Sequence, residues 1–135
     1  SYESYTAAWY FGLNHTMLDC WKRGRKGIII TMGDEPLNPY LPGDTLGKVL
    51  GAPSEDVNTD SLYKQVCEKF DVFHIAIDGP SSYHYYTRKI KDSWGKLLGD
   101  NFSVCKPEEL PQIITAIVNQ CTYTTTVNTE GEITW

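Results

Sequence analysis

The sharpest chemistry-bearing stretch of the chain is Ile28-Ile29-Ile30-Thr31-Met32-Gly33-Asp34-Glu35-Pro36, where a β-branched apolar run hands two adjacent carboxylates to a turn. A hard cation such as Mg2+ or Mn2+ takes carboxylate, hydroxyl and water oxygens in octahedral geometry. Asp34 at a strand end therefore has the chemistry of a ligand, directly or through water. An Asp before a turn also satisfies loop amides, which is its plainer reading. His15 and Asp19 stand at i and i+4 beside Cys20, the spacing of a metal pair on one helix face, but no second pair lies near in sequence. His74 interrupts an apolar run, and His84 sits in Tyr83-His84-Tyr85-Tyr86 after Ser81-Ser82. Either histidine beside a cysteine would make a catalytic pair, although no nucleophile elbow or phosphate-cradling glycine loop accompanies them.

Alternating strand and helix signals supply the elements that must position these groups. Tyr5, Ala8, Trp9, Leu13, Met17, Leu18 and Trp21 fall at spacings of three and four, predicting an amphipathic helix over 4–22. Residues 28–32 and 70–77 read as buried strands, and 101–105 as a shorter third. Helices are expected over 45–50, 60–70, 88–98 and 107–120, the last opened by Pro107-Glu108-Glu109. The Thr-rich stretch 121–135 reads as a C-terminal tail or edge hairpin. The expected fold class is α/β: an open parallel sheet with helices on both faces. Three strands make a thin sheet, and a run such as 28–32 would want a further neighbour, from upstream sequence or from a second copy.

In such a sheet ligands gather at the carboxyl ends of the strands. Asp34, Glu35 and Tyr40 follow the first strand, and Tyr83, Tyr85 and Tyr86 follow the second. Tyrosine offers broad amphipathic contact area at little entropic cost, so these positions suit a protein partner; the alternative is that the rings pack their loops onto the domain.

Composition sets the outer limits. The 135 residues are 41% hydrophobic and 21% charged, enough for one modest core. Twelve basic against seventeen acidic residues give a net charge of −5, which argues against nucleic acid as partner. The basic run Lys22, Arg23, Arg25 and Lys26 falls where a helix should end and complements its dipole. No apolar stretch approaches the ~20 residues of a membrane span. Cys20, Cys67, Cys105 and Cys121 are scattered without a CxxC pair, the pattern of reduced thiols and a cytoplasmic setting. A Cys105–Cys121 bridge stays open as the exported alternative.

The helix start Glu3-Ser4-Tyr5-Thr6-Ala7-Ala8-Trp9-Tyr10, the Ile-rich strand ending in Thr31-Met32-Gly33-Asp34-Glu35-Pro36, and the later order Ile77-Asp78-Gly79, Leu97-Leu98-Gly99, Phe102-Ser103-Val104 and Pro107–Ile114 together resemble the C-terminal half of bacterial von Willebrand factor A-type domains. The resemblance covers most of residues 3–120 and implies a Rossmann-like, partial von Willebrand factor A-like domain over 1–120. It also implies a non-catalytic protein-binding module with part of a metal-ion-dependent adhesion site. The family's Asp-x-Ser-x-Ser motif is absent. Of its other ligands the Asp after the fourth strand maps onto Asp34, and the polar residue before the third helix onto Glu3 or Ser4, each of which also reads as a helix cap or first-turn acid. Mg2+ or Mn2+ binding by this chain alone is expected to be weak. The competing expectations are a small α/β hydrolase with a Cys or Asp nucleophile at the sheet edge, and a structural piece that forms a homo-oligomer through its unpaired strand.

Overall fold

A computed structural model of the chain describes residues 5–80 and 83–128. Helix α1 (Tyr5–Asn14) is followed by a 3-10 turn (Asp19–Arg23), strand β1 (Gly27–Gly33), strand β2 (Tyr40–Leu41) and helix α2 (Gly43–Leu50). Then come strand β3 (Val57–Asn58), helix α3 (Thr59–Val66), strand β4 (Phe70–Ile77) and helix α4 (Tyr83–Leu98). Strand β5 (Phe102–Cys105) and helix α5 (Leu110–Asn128) close the order. The chain is α/β: β1, β4 and β5 form a parallel sheet in the order β1-β4-β5, with helices against both faces, while β2 and β3 make a small antiparallel ribbon.

The pleat of β4 divides the core. Phe70, Val72 and Ala76 join a cluster with Tyr5 and Trp9 of α1, Leu62 and Val66 of α3, and Ile90, Trp94 and Leu98 of α4. Phe73 and Ile75 point the other way, to Cys105, Ile117 and flanking residues of α5. β1 alternates likewise, with Ile29 against the first cluster and Ile30 against the second. The expectation that β1 is buried on both faces holds only in part. Ile28 and Met32 are 36% and 41% exposed, because α5 alone serves the second face and β1 is an edge strand among the described residues.

Helix α3 ends at Val66, short of the expected 70, and three other boundaries differ from the sequence reading by more. The expected helix to Lys22 stops at Asn14, where the Asn14 side-chain amide donates to the Tyr10 carbonyl and the Thr16 hydroxyl to the Phe11 carbonyl. These side-chain bonds add to the last helical backbone bond, from His15 N to Phe11 O, at the helix end. Trp21 docks separately, its indole N–H donating to Lys69 O at 3.0 Å and its ring edge-on to Phe70. Helix α4 begins at Tyr83, so Tyr83, Tyr85 and Tyr86 lie in its first turn and not in a loop. Helix α5 continues through Asn128, so 121–128 is helical where an extended tail was expected; 129–135 lie outside the described residues. Asn58 caps α3, its side chain accepting from Ser61 N at 2.9 Å.

Candidate functional site

Each of the three parallel strands is followed at once by a charged residue: Asp34 after β1, Asp78 after β4 and Lys106 after β5. The register Gly33↔Ala76 and Ile77↔Cys105 sets the three at one edge. Asp78 is bound into place. Its backbone N–H donates to Cys105 O at 2.8 Å, and its carboxylate accepts from Lys106 Nζ at 2.9 Å. The carboxylate raises the Lys106 pKa through that hydrogen bond and its charge. The second oxygen, Oδ1, is buried with no hydrogen-bond partner, and His84 Nε2 of α4 stands 3.9 Å from it. Sequence reasoning passed over this cluster, although Asp78 carries the same signal as Asp34, an acid directly after a buried strand.

Asp34 and Glu35 are half-buried, and the loop that carries them is strapped to α4. Trp94 Nε1 donates to Glu35 O at 3.1 Å, and Ser93 Oγ accepts from Leu37 N at 3.0 Å. Further along, the Thr59 hydroxyl donates to Asn38 O and Thr59 N to Pro39 O. Gly33 is required just before Asp34, since a Cβ there would collide with the Tyr5 ring. Under the strapped loop a groove of about 310 Å3 opens between Leu37, Thr59 and Leu97, with Asp60 and Lys96 in its wall.

The expected rim divides. Tyr85 is 87% exposed, Tyr86 40% and Tyr40 44%, the last on β2 paired with Asn58. Tyr83 is a correction: at 5% exposure it belongs to the core with Ile90 and Trp94, and is no part of a contact surface. Tyr85, two residues on, falls on the opposite side because a helix turns about 100° per residue, and Tyr86, three on, falls at the flank.

As for a cation, no group of three or more His, Cys, Asp or Glu side chains among the described residues can hold a metal ion. Glu3 and Ser4 lie outside the described residues. Asp78 faces Lys106, so the described edge does not by itself make a chelate, and a cation at Asp34 would need oxygens from elsewhere.

The histidines take separate environments. His15 is exposed against the rings of Tyr10 and Phe11. His74 is wholly buried, stacked on Trp94 at 3.5 Å between ring centres, with Tyr5 edge-on. Its Nδ1 lies 2.8 Å from the Thr31 hydroxyl, which also reaches Phe73 O, while Nε2 has no hydrogen-bond partner. Burial pushes the His74 pKa down to about 3, so the ring is neutral and packs the core. None of the four cysteines is in a disulfide. Cys105, at the edge, is buried and its pKa is raised by burial and then by Glu109 and Glu108. That is the direction opposite to an activated nucleophile. Burial likewise raises Cys121, with Asp71 adding to it.

No family model, curated protein or solved structure matches the chain. No helix among the described residues is long and apolar enough to cross a membrane.

Proposed function

We propose that the chain is a non-catalytic protein-binding module, the second half of a von Willebrand factor A-like domain, that engages its partner at the carboxyl edge of the parallel sheet. The observation that carries this reading is the placement of a charged residue immediately past each strand, beside exposed tyrosines. Asp34 and Glu35 supply negative charge, while Tyr40, Tyr85 and Tyr86 supply amphipathic area with few rotors to freeze. A divalent cation bridges Asp34 to the partner, completed by oxygens that the described residues do not provide.

Two experiments test the reading. Mn2+ titrated into isotope-labelled protein should broaden the amide signals of Gly33 to Glu35 first, and Asp34→Ala should abolish the effect; equal broadening in the variant removes the cation from Asp34. A peptide library panned with and without Mn2+ should yield ligands that lose at least tenfold in affinity against a Tyr85→Ala/Tyr86→Ala variant. Ligands indifferent to those rings and to Asp34 would place the contact surface elsewhere.

A further inference from the structure

The basic run Lys22, Arg23, Arg25 and Lys26 loses its expected role in the fold. Helix α1 ends at Asn14, so the run closes no α-helix, and a 3-10 turn of five residues has little dipole to complement. The segment 15–26 lies instead across the amino ends of β1 and β4. Leu18 sits against Gly27, where an added Cβ would collide with it, and Trp21 is edge-on to Phe70. A further base joins the run from far along the chain: Lys69 precedes β4 as Lys26 precedes β1, and Gly27 pairs with Phe70. Lys69 O accepts from Gly27 N at 2.9 Å and from Trp21 Nε1 at 3.0 Å, and the Lys69 ammonium lies 5.2 Å from the centre of the Trp21 ring. Lys22, Arg23, Lys26 and Lys69 are exposed, and none is ion-paired to a described residue. Met17 of the same segment is 89% exposed. The acids beside these bases in sequence are Asp19 and Glu68, so this end is positive on a chain of net charge −5. The carboxyl edge is the reverse, with Asp34, Glu35, Asp78, Glu108 and Glu109 against Lys106.

We infer that the amino end of the sheet docks on an anionic phospholipid surface, with Lys22, Arg23, Lys26 and Lys69 on the headgroups and Met17 inserted at the acyl boundary. Each Lys or Arg held near such a surface strengthens partitioning roughly fivefold, and the attraction fades within a Debye length. Charge alone gives a loose, salt-sensitive association. An apolar side chain already in water, beside the cations, adds the second contribution that interfacial binding needs. Docking of this kind requires no membrane-spanning helix. Nucleic acid fits the patch less well, because single strands bind by stacking bases on open rings. Trp21, the ring beside the basic run, has the Lys69 ammonium over it, Phe70 against it, and its N–H committed to Lys69 O. The polarity of the chain also sets an orientation. Like charge repels the acidic carboxyl edge from the headgroups, so Asp34, Tyr40 and Tyr85 face away from the bilayer. The inference rests on the amino end alone and holds whether or not the opposite edge binds a protein.

Co-sedimentation of the full chain with vesicles tests this, comparing phosphatidylcholine alone with phosphatidylcholine containing roughly 30% phosphatidylserine. The expected result is binding to the mixed vesicles only, weakened by salt. Lys22→Gln/Arg23→Gln should lower partitioning roughly 25-fold, and Lys69→Gln roughly fivefold, although Lys69 stands 43 residues from Lys26. Met17→Ser should lower it several-fold at every salt concentration, and circular dichroism should be unchanged in all three variants because the altered side chains are exposed. No binding to the mixed vesicles, or equal binding by Lys22→Gln/Arg23→Gln, overturns the inference. Loss of binding in that variant but not in Lys69→Gln would mean that the loop acts as a bare charge run, and overturns the folded surface. Binding to a single-stranded oligonucleotide as tight as to the mixed vesicles, with Met17→Ser indifferent in both, assigns the patch to soluble polyanions and overturns the membrane as its partner.

Discussion

One face of the parallel sheet lies under α1, α3 and α4 and is sealed by rings; the other lies under α5 alone and leaves apolar side chains in contact with water. On the first, Trp94, Trp9, Tyr5 and His74 meet edge-on or stacked, with centroids 3.5 to 6.0 Å apart. On the second, Phe73, Ile75, Cys105 and Ile117 form a smaller apolar cluster with a single ring. Large interlocking side chains fix a unique arrangement, and the crowded face also holds the loop that bears Asp34, through the Trp94 indole. The contrast teaches that the rigid and the interacting parts of this sheet are different faces. The packed side positions the edge residues, and the sparse side is where further protein can be laid.

The contrast is open to attack at four points. The largest effect is expected for Trp94→Ala, which empties the centre of the crowded face and should cost about 4 kcal/mol in chemical denaturation. The Asp34 loop should loosen with it, read as faster hydrogen exchange at Leu37. Acid should come next. His74 has a folded pKa near 3 against an ordinary value of 6.5, so between those pH values the unfolded chain binds a proton that the folded one refuses. The stability that the neutral His74 ring contributes is therefore fully present above about pH 6.5 and is lost as pH drops towards 3, a loss on the order of 4 kcal/mol. His74→Phe should flatten the slope in that window; an unchanged slope would mean the ring is not the titrating group.

On the sparse face, Ile117→Ala should cost about 2 to 3 kcal/mol, less than the tryptophan, because fewer neighbours surround the space it leaves. An equal loss would erase the distinction between the faces. Smallest of all, Ile28→Thr should change stability by less than about 0.5 kcal/mol, while Ile29→Thr, one residue on and facing the aromatic cluster, should cost more than about 1 kcal/mol. Thermal melts of the two variants settle the point.

Much of this arrangement was legible in the residues. The runs 28–32 and 70–77 are unambiguous because they are apolar, β-branched and bounded by glycine or a turn, and β4 matches its expected bounds. Asp34 was legible for the same reason, since a strand end announces the carboxyl edge. The first turn of α4 was not, because Pro80 and two serines imitate a loop and a run of tyrosines has no helical signature of its own. Only the pleated neighbour decides that Tyr83 turns inward while Tyr85 turns outward. The Asp78–Lys106 hydrogen bond joins residues 28 apart. Nothing local to either predicts it, since it depends on β4 and β5 being neighbours in register. The stop at Asn14 was hidden by apolar periodicity that continues through Leu18 and Trp21.

The strap over the Asp34 loop has a consequence in time. Its two hydrogen bonds to α4 span 56 and 59 residues of chain, so neither forms until α4 exists and has docked. During synthesis, at roughly 5 to 20 residues per second, β1 and its acidic turn leave the ribosome several seconds before the serine and tryptophan that hold them. Until then the turn is only a polar hinge. The edge acquires its shape as one of the last events of folding, and a nascent chain halted before Ser93 would carry the acids without their presentation.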